Sequence, residues 1–63
     1  MCQANAFMKN ARGEKEIMTE VDRMDVEGDY VVFRDLLGNS KKVKGVVRVV
    51  DFGAHRVLVE KAA

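Results

Sequence analysis

Two side chains in this sequence offer donor chemistry that no other residue duplicates. Cys2, in the opening MCQANAFMKN, is the only thiol, and His55, in the stretch GAHR, is the only imidazole. Initiator-methionine removal is common when the next residue is small, and here it would leave a free α-amine on the residue that carries the thiol. An α-amine has a reference pKa of about 8 and a thiol of about 8.5, so a metal can deprotonate both around neutrality. Amine nitrogen and thiolate sulfur of one residue close a small chelate ring, and the backbone amide of Gln3 is a possible third donor. Nitrogen and sulfur donors in a square plane suit Ni(II) or Cu(II). One terminus supplies too few donors for a closed site, whereas two termini related by a twofold axis supply enough. The plainer reading makes Cys2 an incidental residue on an edge strand. His55 is a further candidate ligand, since neutral imidazole is a common donor, although a turn histidine also serves by hydrogen bonding to backbone.

The remaining residues narrow the chemistry. Thr19 and Ser40 are the aliphatic hydroxyls, and Ser40 has no oriented base beside it, so a catalytic triad lacks its parts. No zinc-type cysteine spacing or phosphate-cradling glycine loop is present. An enzyme is therefore not expected. Met8, Met18 and Met24 lie on strand-like patterns, where core filling is a better use of them than a soft copper site. Lys41, Lys42 and Lys44 form the one candidate nucleic-acid surface, with Arg48 and Arg56 further along. Small barrels bind RNA through basic grooves and stacked aromatics. Of the aromatics Phe7, Tyr30, Phe33 and Phe52, Tyr30 is the one placed for exposure, beside a turn. Eleven basic residues against ten acidic ones leave a net charge of +1, too small a field to favour phosphate binding, so nucleic acid is the weaker reading.

These residues need elements to hold them, and the elements read as β-strands. Proline is absent, so glycine, asparagine and aspartate must make the turns. Four such points stand out: Asn10–Gly13, Glu27-Gly28-Asp29, Gly38-Asn39-Ser40 and Gly53-Ala54. Their spacing has the rhythm of short antiparallel strands. Cys2, Ala4, Ala6 and Met8 alternate with Gln3, Asn5, Phe7 and Lys9. Met24 and Val26 alternate with charged neighbours, as Val31 and Phe33 do with Val32 and Arg34. Val46–Val50 and Val57–Val59 are β-branched runs that favour strands. A helix can be drawn through GEKEIMTEVDRM, but Ile17, Thr19 and Val21 favour strand, turn and strand. Gly45 lies where a bulge or bend would let one long strand serve two sheets. The expected fold is all-β: a small antiparallel β-barrel of five to seven short strands, SH3- or OB-like in size, with residues 1–63 as one domain. Closing the barrel removes valine-rich edges that would otherwise aggregate.

Sixty-three residues bury only about 60% of the surface the unfolded chain exposes, so stability is thin. Domains of this size lean on disulfides, metal or oligomerisation, and a single cysteine excludes an internal disulfide. A homodimer is the natural expectation. No apolar run approaches the roughly 20 residues of a membrane-spanning helix. The opening lacks the pattern of a signal peptide, and a lone cysteine then points to the reducing cytoplasm.

The opening MC-x-A, the stretch EGDYVVFRDLLGNSKKVKGVVRVVDF and the ending HRVLVE resemble the CooT family. That family shows an EGD-type hairpin, a D-L-x-G turn, a G-x-[IV]-x-x-[IV]-D strand and a closing H-[KR]-[IV]-x-[LV] strand, in this order. The resemblance implies a small all-β homodimer that binds Ni(II) and serves as an accessory, metallochaperone-like protein to a nickel enzyme such as carbon monoxide dehydrogenase. It implies that Cys2 is the metal-binding residue. Gln3 falls at a variable position of the family, so only its backbone amide is carried over as a donor. The family has also been labelled as predicted RNA-binding, which keeps a lysine surface of Lys41, Lys42 and Lys44 as the alternative. A dimeric interaction module with an incidental Cys2 is a third possibility.

Overall fold

A computed structural model describes residues 3–61 as five strands joined by turns. They are β1 (Ala4–Asn10), β2 (Gly13–Glu27), β3 (Tyr30–Asp35), β4 (Ser40–Asp51) and β5 (Arg56–Lys61). Among the described residues there is no helix, and so none long and apolar enough to cross a membrane. Each turn-forming point read from the sequence separates two of these strands. The stretch GEKEIMTEVDRM is strand, as its β-branched residues require. It runs on without the interior turn expected of it, because the chain kinks instead: Glu20 takes a positive φ of 55° within β2.

The strands close into a ring in chain order, β1 to β5. Consecutive strands pair antiparallel. The closing pair, β1 with β5, is parallel, with Asn5 opposite Arg56 and Met8 opposite Val59. Parity forces this departure from the antiparallel expectation. Each hairpin reverses the chain, so the fifth strand of a meander runs in the same direction as the first.

The two long strands each serve two neighbours. β2 pairs with β1 up to Val21 and with β3 from Val21 onward. β4 pairs with β3 through Lys44 and with β5 from Gly45. Gly45 is the corner expected from its position, and its packing explains the glycine. A β-carbon there would sit 2.6 Å from the Glu60 carbonyl oxygen and 2.7 Å from Val59 Cγ1. Register slips at Val47/Val49 in β4 and Val21/Arg23 in β2 add the local twist that a tight ring needs.

Alternation then fills the centre. Ala6, Val21, Val31, Phe33, Val57 and Val59 form the core, with Met8, Met18 and Met24 packed against it. The methionines thus act as filler, as their strand positions suggested. Phe7, on the other face of β1, lies beneath the Arg56 guanidinium, 4.6 Å from ring centre to Cζ. Arg56 also pairs with Glu14, so one side chain ties β5 to β1 and β2 across the parallel seam.

Candidate metal centre

Cys2 lies outside the described residues, as does Met1. Gln3 is the first described residue, half-buried, and leads directly into β1. The seam fixes what surrounds this entry. The backbone N–H of Asn5 donates to the carbonyl oxygen of His55 at 2.7 Å, the bond that starts the β1–β5 pairing. Residues 52–55 form the turn between β4 and β5, braced by the Ala54 N–H donating to Asp51 Oδ1 at 2.9 Å. His55 leaves the turn with a φ of 54°, a left-handed conformation that histidine, asparagine and aspartate adopt more readily than most residues. Its side chain is exposed.

An open groove of about 390 Å³ occupies this end of the barrel. Ala4, Val21, Val50, Phe52 and His55 are among the residues that line it. Its apolar wall is unusual for a surface, because Phe52 is 82% exposed. The sequence pointed to Tyr30 as the exposed aromatic. Phe52 exceeds it, because Phe52 sits in a four-residue turn past the end of β4 and has no interior left to face. Among the described residues, no three histidine, aspartate or glutamate side chains gather as a metal-ligand cluster. Asp22 and Asp51 line the same groove as His55, but the three do not form such a cluster.

The basic surface is divided by the pairing. Lys42 lies opposite Val32 and Lys44 opposite Tyr30, on the outer face, where Lys42 Nζ stands 4.7 Å from the Tyr30 ring centre. Lys41 lies opposite Phe33 and so shares the inward-turned face. At the rim its Nζ comes 3.5 Å from the Ile17 carbonyl oxygen. On the outer face Asp25 and Glu27 follow across β3, opposite Val32 and Tyr30. Each outward lysine thus shares its row with an acid. The sequence run of three lysines does not make one basic groove.

Two groups that residue types alone did not single out organise the loops. Asp35 accepts at Oδ1 from the N–H groups of Leu37 and Asn39, both at 2.9 Å, and at Oδ2 from the Asn39 side-chain amide, also at 2.9 Å. The Asn39 side chain first, and then the backbone donors, hold its carboxyl below the usual value of 3.8. An aspartate followed closely by Gly38-Asn39 was the available signal for this turn. The second is Asn5, whose Oδ1 accepts from the Glu20 N–H at 3.4 Å.

Comparison with known proteins adds the following. The family model for the CO dehydrogenase accessory protein CooT matches residues 1–60, a span that includes Cys2. Among solved structures, a protein from Carboxydothermus hydrogenoformans assigned as CooT superposes with a TM-score of 0.88 at 24% identity. The match covers 98% of this chain and 100% of that one, and it establishes a shared fold. No curated protein matches the chain in sequence.

Proposed function

Because the chain belongs to the CooT family of CO dehydrogenase accessory proteins, we propose that it carries Ni(II) as cargo for a nickel enzyme such as carbon monoxide dehydrogenase. Cys2 is the metal-binding residue, through its thiolate and, once Met1 is removed, its α-amine. The Gln3 backbone amide is the third donor, and the same set from a second copy completes the site at a homodimer interface. His55, the chain's single imidazole, stands at the end of the barrel where β1 begins and is a further candidate ligand. The protein performs no catalysis of its own, and it works in the cytoplasm, where the thiol stays reduced.

The observation that carries this reading is the inclusion of the lone thiol within the matched CooT span, joined through Gln3 to the strand at the barrel's open, apolar end. Apolar surface around that entry, with Val50 42% and Phe52 82% exposed, is what a second copy would cover. An ion that must be handed on needs a site open to solvent, and the groove at this end of the barrel is open.

The test is a titration of Ni(II) into the full chain and into Cys2→Ser. The parent is expected to develop a thiolate-to-nickel absorption band that saturates at one ion per two chains. The variant is expected to show no band. A band of equal strength in Cys2→Ser refutes the reading. Mass measurement of the same preparation reports whether the α-amine of Cys2 is free.

A further inference from the structure

Among the described residues, two residues other than glycine have positive φ: Glu20, at 55°, and His55, at 54°. They lie in different strands and turns, yet both touch the same residue. The His55 carbonyl takes the Asn5 N–H at 2.7 Å, and the Glu20 N–H donates to Asn5 Oδ1 at 3.4 Å. The ladder is irregular at this point too. β1 slips register against β2 between Ala4 and Ala6 and again between Ala6 and Phe7, so Asn5 has no paired residue on β2. Its side chain occupies the place where a ladder bond would have been. Left-handed backbone is an uncommon conformation for glutamate and persists only where its surroundings hold it.

We propose that Asn5 is a positioning residue: a clamp, closed from β2 by Glu20 and from the β4–β5 turn by His55, that fixes the direction in which the chain leaves the barrel toward Cys2. The proposal rests on the nickel reading of Cys2 and adds how the donor is aimed. Gln3 and Ala4 lie between Cys2 and Asn5, so three chain links keep the two Cα atoms within about 11 Å of each other by connectivity alone. With Asn5 held on both sides, the direction in which β1 leads toward the donor is set before an ion binds, which lowers the ordering cost of binding. A competent fraction that falls through loss of the clamp weakens apparent affinity in the same proportion.

Asn5→Ala removes the acceptor for Glu20 and leaves the backbone bond to His55 in place, while Asn5→Asp keeps an oxygen at the same position. Ni(II) alone is titrated into the full-length parent and both variants, and hydrogen exchange is read at the Glu20 amide. We expect Asn5→Ala to bind nickel about three- to tenfold more weakly, in line with one hydrogen bond, and to lose protection at Glu20. Asn5→Asp is expected to recover both, and the exchange readout separates this from any gain that its added charge gives to nickel. Glu20→Gly relieves the left-handed backbone while keeping the N–H, and is expected to fold at least as well and bind as the parent does. Unchanged nickel affinity in Asn5→Ala overturns the proposal, and so does an Asn5→Asp that fails alongside it. If the parent itself takes up no nickel, the cargo reading falls. The clamp then stands if Glu20 protection is lost in Asn5→Ala and kept in Asn5→Asp, and falls if protection is the same in all three.

Discussion

Gly45→Ala is the substitution for which the geometry leaves least freedom. A methyl group there would meet the Glu60 carbonyl oxygen at 2.6 Å and Val59 Cγ1 at 2.7 Å. Neither neighbour can yield without a wider change. Glu60 is part of the β4–β5 ladder, opposite Val46, and Val59 is fully buried in the core. The strands must therefore separate at the corner where β4 passes from β3 to β5, and the Gly45 N–H donated to the Asp29 carbonyl at 3.0 Å is disturbed with them. Overpacking of this kind costs about 1–3 kcal/mol, and a collision with backbone belongs in the upper half of that range. For a domain this small, about 2–3 kcal/mol lowers the melting temperature by roughly 10–20 °C. Thermal melts followed by far-ultraviolet circular dichroism measure it. Gly53→Ala is the control, because the added methyl meets nothing nearer than Asp51 Oδ1 at 3.5 Å. If Gly45→Ala melts together with Gly53→Ala, the steric account of the corner is wrong.

Two further outcomes follow from particular contacts. Arg56→Ala removes both the cation over Phe7 and the pair with Glu14. These are half-exposed interactions worth about 1 kcal/mol together, so the melting temperature should fall by roughly 4–8 °C; high salt should abolish only part of that difference, because the Phe7 contact does not depend on a screened pair. Asp35→Asn should lower thermal stability at neutral pH by loosening the Leu36–Asn39 turn. Since the Asp35 carboxyl lies below its ordinary 3.8 in the folded state, its contribution is complete above that value and disappears as pH falls through the lower folded one. The gap between parent and variant should close in acid, and a gap that persists at the lowest pH where both remain folded would show that the carboxylate is not what holds the turn.

Much of the fold was legible because alternation has one meaning in a small barrel. Val31 and Phe33 had to face the core together, and the turns had to fall at glycine and asparagine. Val26 shows the limit of that rule. It pairs with Val31, yet it is 63% exposed, because it lies beside the β2–β3 turn, past the end of the core. The parallel seam was hidden in an undecided count. Five to seven strands includes six, and an even number would have closed antiparallel. The clamp at Asn5 was not legible at all, since nothing about a glutamate marks it for left-handed backbone. Asn5 itself read as one polar member of an alternating strand. The chemistry proposed for Cys2 comes from its residue type and the family resemblance alone, since Cys2 lies outside the described residues 3–61.

The seam and the proposed cargo site are physically linked. Asn5 and Arg56 pair across about fifty residues of chain, the most distant partners in the ring. Bringing them together costs more chain entropy than any hairpin does, and parallel pairing returns slightly less per residue. The strand that leads to Cys2 therefore closes the ring through its least local pairing. An ion that binds only when β1 is docked stabilises the closed ring through linkage, by about 2.7 kcal/mol when the free ion is a hundredfold above its dissociation constant. The same coupling acts in reverse. Under the cargo reading, whatever loosens β1, including a client's contact with the exposed Val50 and Phe52 beside its entry, would lower the affinity for the ion. The cargo reading requires that property, and the proposed donor, just ahead in sequence of the strand that closes an odd-numbered ring, would supply it.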